Sequence, residues 1–109
     1  MAEGWFDHER WDVYAVAVEV AQFTRRVRWP SGEAALADQA RRASASVVLN
    51  IAEGAGRTGK ARLNHYRIAR GSAAEVCAVL DVVSLPDGPE MQQRCRRIGA
   101  MLTRMVQRG

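Results

Sequence analysis

The stretch whose residue types and spacing come closest to a chemical site is Gly54-Ala55-Gly56-Arg57-Thr58-Gly59-Lys60, which fits the GxxxxGK opening of a phosphate-binding loop. Such a loop wraps phosphates in backbone N–H groups and needs a hydroxyl after the lysine to hold magnesium. Here that position is Ala61, and no second strand pattern supplies an acidic metal ligand. The segment therefore reads as a helix stop, and no cofactor is expected. Ser44, Ser46 and Ser72 have no histidine placed to activate them, and the acids show only the spacing of solvated faces. No catalytic residue is assigned, and the chain is expected not to be an enzyme. Cys77 and Cys95 lack CxxC partners and are expected as buried, reduced thiols, while His8 and His65 lack metal-ligand spacing, so no metal is expected.

What remains is electrostatic. The formal net charge is +4, distributed unevenly: residues 1 to 24 hold five acids and one arginine, whereas residues 41 to 70 hold seven basic residues and only Glu53. Fifteen of the sixteen basic residues are arginine, which suits bidentate phosphate or carboxylate contacts, although a high-GC genome produces the same bias. At 100° per residue Arg97, Arg104 and Arg108 fall within about 40° of one another and form a stripe. Arg57, Lys60 and Arg67 form a second cluster with no acid between positions 57 and 70. These six are the candidate nucleic-acid contacts; a solvated face in an arginine-rich proteome is the competing reading. Sequence preference is expected to be slight, since nothing resembles a recognition helix or an aromatic stacking platform.

The elements that must position these residues are helices. At 109 residues, 48% apolar and 26% charged, the chain has room for one domain, 1–109, with a packed core. In the first helix Trp11, Tyr14, Val18 and Ala21 make one apolar stripe and Val13, Val16, Val20, Phe23 and Val27 a second beside it. Together they span roughly 220° of the helix, wider than one bundle core needs. This helix is therefore expected at a subunit boundary as well as in the bundle core, with the second stripe as the candidate oligomer interface, since exposed apolar surface of that size would otherwise invite aggregation. Trp29-Pro30-Ser31-Gly32 breaks this helix, with Ser31 the expected N-cap of the next. The second helix carries Leu36, Ala40, Ala43, Val47 and Ile51 to about Glu53, where Gly54-Ala55-Gly56 is expected to end it through left-handed glycine. The third restarts near Thr58 along Tyr66, Ala69, Ala73, Val76, Leu80 and Val83. Leu85-Pro86-Asp87-Gly88-Pro89 is a turn, followed by Met91, Cys95, Ile98, Leu102 and Met105. Four helices of about 20 residues joined by short loops predict an all-α, antiparallel up-down-up-down four-helix bundle.

The run from Gln39 to Val47 leading into Asn50-Ile51-Ala52-Glu53-Gly54 and Gly56-Arg57, continued by Ile68-Ala69-Arg70-Gly71-Ser72 and Glu75, resembles the signature of the bacterial four-helix bundle proteins. These are also called 23S rRNA intervening-sequence proteins and include the accessory variability determinant of diversity-generating retroelements. His8 and Arg10 depart from the aliphatic residues usual before Trp11. The resemblance implies a homopentameric ring without known catalytic activity, some members of which bind a reverse transcriptase and nucleic acid. In a five-fold ring +4 per chain becomes about +20, which strengthens attraction to phosphate.

Asn50, Glu53, Arg70 and Glu75 are expected to be a structural polar network. Arg70 falls beside the third helix's seam and needs a partner there, with Glu53 the expected one. No apolar run approaches the roughly 20 residues that span a bilayer, and the acidic amino terminus does not fit a signal segment, so a cytoplasmic protein without membrane association is expected. The functional expectation is a non-enzymatic oligomeric adaptor whose basic surface contacts RNA, DNA or a nucleic-acid-handling protein such as a reverse transcriptase. A protein–protein interaction scaffold is the alternative.

Overall fold

The computed structural model describes residues 4–109; Glu3, one of the amino-terminal acids, lies outside them. A short 3-10 turn, Asp7–Arg10, is closed by Glu9, whose carboxylate accepts the Phe6 N–H at 2.8 Å. Four helices follow: α1 (Asp12–Arg26), α2 (Ala34–Ala55), α3 (Gly59–Val82) and α4 (Gly88–Arg108). Each packs against its neighbours in sequence, and α4 closes back on α1. The diagonal pairs α1–α3 and α2–α4 face each other across the core without backbone contact. This is the antiparallel four-helix bundle that the spacing predicts.

The core forms where the apolar stripes meet. All six positions of the α3 seam, Tyr66 through Val83, are buried, as are Ala40, Ala43, Val47 and Ile51 of α2 and Met91, Cys95, Ile98 and Leu102 of α4. The alanines of α2 and α3 bring these two helices closest. Val13, Val16, Val20 and Phe23 join this same core at 7% exposure or less, with half-buried Val27 packed against it. The second α1 stripe is thus interior to one chain and does not form a free subunit face. The width of its apolar arc has a simple cause: α1 touches α2 on one side and α4 on the other, so two neighbours cover it.

Turn chemistry differs from expectation at two places. Ser31 does not cap α2. It sits in a turn closed by the Glu33 N–H to Pro30 carbonyl bond, with Gly32 at φ +89° supplying the left-handed position, and Glu33 takes the N-cap place. At the other end α2 runs through Ala55, and its C-cap Gly56 has right-handed geometry, φ −86°. The left-handed glycine is Gly59, at the start of α3. Gly54 serves a different purpose, since a Cβ there would stand 2.5 Å from Cε1 of Tyr66.

Each adjacent pair of helices carries a polar clasp. The Thr24 and Ser44 hydroxyls meet at 2.9 Å between α1 and α2, and Arg25 reaches over them to the Arg41 carbonyl at 3.2 Å. Between α2 and α3, Asn50 donates to Ser46 and accepts from His65 Nδ1 at 2.9 Å, while the Ser72 hydroxyl donates to Ser46 Oγ at 2.9 Å. Gln92 of α4 donates to the Cys77 carbonyl and to Asp81 on α3. Arg94 closes α4 onto α1 through Glu19 at 2.6 Å, and also holds Glu90.

Candidate nucleic-acid interface

The antiparallel order sends the start of α1, the α2–α3 connection and the last turns of α4 to one end of the bundle. The turn at Gly54–Gly59 is held there by Arg62, whose Nε donates to the Gly54 carbonyl and Nη2 to the Ala55 carbonyl, both at 3.1 Å. These are carbonyls that a helix leaves without intrahelical partners, at the negative end of its dipole, where a guanidinium is favoured. The GxxxxGK run is thus a helix stop and restart, not a loop between strand and helix.

Of the six candidate contacts, Arg57, Lys60, Arg104 and Arg108 gather at this end. Arg67 lies two turns along α3, about 10 Å from Lys60, and Arg97 lies about 16 Å up α4 from Arg108. All six are exposed. Arg97, Arg104 and Arg108 share one outer stripe of α4, and none of them forms an ion pair among the described residues. Arg57 differs, because Glu53, one turn before it on α2, pairs with it at 3.2 Å. The acid-free interval from 57 to 70 therefore overstates the charge of that cluster.

The four residues expected to form one polar network do not do so. Asn50 belongs to the α2–α3 clasp. Glu53 turns outward to Arg57, and Glu75 is exposed. Arg70 binds Thr103 Oγ1 of α4 at 3.2 Å instead of Glu53. Its position beside the α3 seam faces α4 there, and a neutral hydroxyl satisfies a guanidinium that is only half-buried. Sequence reasoning missed Ser46 and His65 as the partners of Asn50, and Ser72 as the partner of Ser46. Their i, i+4 and cross-helix spacing is visible only once the register of α2 against α3 is known.

The cysteines are both free thiols, Cys77 half-buried and Cys95 buried. Burial, with the nearby Cys77 adding to it and Arg96 opposing it, pushes the Cys95 thiol up to about 12. Burial also raises Tyr66 above its ordinary value, against the pull of Arg62. Among the described residues no group of three His, Cys, Asp or Glu side chains could hold a metal ion, and no helix is long and apolar enough to cross a membrane.

Beside the basic end lies a groove that the sequence does not foretell. Trp11, the N-cap residue of α1, and Asp12 face Met101, Arg104, Met105 and Arg108 of α4 across it. A second groove runs between the 3-10 turn and the end of α2, with the exposed Phe6 and Leu49 along it.

Four antiparallel helices with three exposed arginines along one outer stripe of α4, and with Arg57, Lys60, Arg104 and Arg108 sharing one end with the acids Asp7, Glu9, Asp12 and Glu53, define a small helical-bundle protein. Residues 9–104 match the family model described as 23S rRNA-intervening sequence protein, and the chain belongs to that family. A comparison with curated proteins found no match.

Proposed function

We propose that this chain is a non-enzymatic, cytoplasmic adaptor that works as an oligomer and lays its arginine face against RNA. The observation that carries this reading is the α4 stripe. Arg97, Arg104 and Arg108 are exposed and in line, and none of them is held in an ion pair by a described carboxylate, although Asp12 lies across the groove from Arg104 and Arg108. Arg41, Arg57 and Arg94 are tied to acids, whereas other exposed basic residues, Arg10, Arg26, Arg28, Arg42, Lys60, Arg67 and Arg96, form no ion pair among the described residues but do not line up on one helix face with the stripe. The description of the family, which names 23S rRNA, is compatible with a polyanionic partner. A nucleic-acid-handling protein such as a reverse transcriptase is the kind of protein this adaptor would hold beside its RNA. The hydroxyls of Ser44, Ser46 and Ser72 are engaged in helix–helix or backbone bonds, which fits a structural role for these three.

Phosphate contacts release counterions, so affinity falls with salt at a log–log slope of about 0.9 per contact on duplex DNA. Gel shifts with structured RNA and duplex DNA at about 50 mM and about 200 mM salt test the reading. The parent should bind and lose affinity steeply, and changing Arg97, Arg104 and Arg108 together to alanine should flatten the slope by up to about 3. Absence of binding at the lower salt, or indifference to the triple change, would favour a protein–protein scaffold using the Phe6–Leu49 groove. For the oligomer, light scattering should report a mass several times 12.1 kDa, five-fold if the ring implied by the resemblance forms.

A further inference from the structure

The groove between the first residue pair of α1 and the last turns of α4 combines three things that bare phosphate binding does not need. Trp11 gives it an indole wall, and Met101 and Met105 give it polarizable thioethers; all three are half-buried and packed against the core. Arg104 and Arg108 stand one helical turn apart, about 6 Å along the axis, and flank the groove instead of crowding one spot. The carboxylate of Asp12 joins the same wall. That carboxylate favours the first turn of α1 electrostatically, yet it would repel a phosphate placed beside it. It would instead accept from the amino or imino edge of a nucleobase. The groove is open to solvent, and its volume, about 430 Å³, is on the scale of a site for one small group.

We propose that this groove holds one unpaired base of a single-stranded polynucleotide, stacked on Trp11, with Arg104 and Arg108 on the phosphates at either side. The proposal rests on the nucleic-acid reading above and sharpens it. The arginines alone would take any phosphate backbone, whereas the groove selects strands whose bases are free to leave a stack. Stacking on an aromatic side chain tolerates any base, because every base has a π-face. Such a stacking platform would leave no trace in the sequence, because Trp11 and Arg104 are 93 positions apart in the chain and only the antiparallel return of α4 brings them together.

Fluorescence anisotropy with the full chain would compare three labelled strands of equal length: an oligothymidylate, an abasic strand and a duplex. The expected result is that the base-bearing strand binds about tenfold more tightly than the abasic one, which carries the same phosphates. Trp11→Leu should erase that difference while Trp11→Phe keeps most of it, and Arg104→Gln with Arg108→Gln should weaken both single strands together. The comparison in the parent chain needs no variant, so it stands even if Trp11→Leu fails to fold. Equal binding of the base-bearing and abasic strands overturns the proposal and leaves the basic-surface reading intact. A base preference that survives Trp11→Leu overturns it as well. A glutamate-rich amphipathic peptide that binds the parent but not the Arg104→Gln chain, with the two strands alike, would give the groove to a protein instead. Failure to bind any of the three strands removes both readings.

Discussion

Gly54 and Gly71 both belong to the stretch that carries the family resemblance, but their surroundings are opposite. A methyl group at Gly54 would collide with the buried ring of Tyr66, at 2.5 and 2.8 Å from its Cε1 and Cδ1, whereas nothing lies within 4 Å of a methyl at exposed Gly71. Gly54→Ala should therefore destabilise the bundle by about 1 to 3 kcal/mol, the cost of forcing a packed ring aside, despite the better helix propensity of alanine. Gly71→Ala should gain up to about 1 kcal/mol by propensity alone. Urea unfolding of the two variants beside the parent measures both, and a neutral Gly54→Ala would mean that Tyr66 is not held as described. Cys95 supplies a pH-dependent counterpart. Its thiol ionises near 9 when unfolded and near 12 when folded. Between those values the unfolded chain has released a proton that the folded chain keeps, so stability is full below pH 9 and falls as pH rises towards 12. By pH 10.5 the loss from this group should be about 2 kcal/mol. Tyr66, also raised by burial, adds in the same direction at higher pH. Comparing urea midpoints at pH 8 and pH 10.5 should show a smaller drop for Cys95→Ala than for the parent.

Among the elements, α2 and α3 with the turn between them carry most of what is recognisable in this chain. Ala40, Ala43, Val47, Ile51 and Gly54 on one helix and Tyr66, Ala69 and Ala73 on the other are buried, and Ser46, Asn50 and Ser72 clasp them. Most of the family signature thus marks a close helix–helix contact. Arg62 shows how such a turn is secured from outside. Arg62→Met should cost about 1 to 3 kcal/mol in urea unfolding by stripping two carbonyls at the end of α2 of their charged donor, while the exposed Arg67→Met should stay within about 0.5 kcal/mol. The helices and the core faces of α2, α3 and α4 were legible in the sequence because apolar periodicity is a local signal. For α1, an arc of about 220° says that more than one surface covers it, but not whether those surfaces come from the same chain, and the second stripe is covered by its own chain. Partners of single polar residues, as with Arg70 and Thr103, depend on register between helices 33 positions apart and leave no local trace.

For the whole molecule, the decisive property is that an even number of antiparallel helices returns the chain to the end from which it set out. That return gathers Arg104 and Arg108 beside Trp11 and brings Arg57 and Lys60 to the same end, so the distribution of charge follows from topology as much as from composition. The extents of 43 × 28 × 20 Å put the opposite end, with the Pro30–Glu33 and Leu85–Gly88 turns, a full helix length away. The same return also governs how the protein yields to a pull. Tension applied through its two termini acts at one end of the neighbouring helices α1 and α4 and opens them like a zip, loading the Trp11–Met105 contacts before the Glu19–Arg94 pair and sparing the α2–α3 contact until last. Under that load the groove opens first and the α2–α3 pair, which has the most extensive contact, parts at the end.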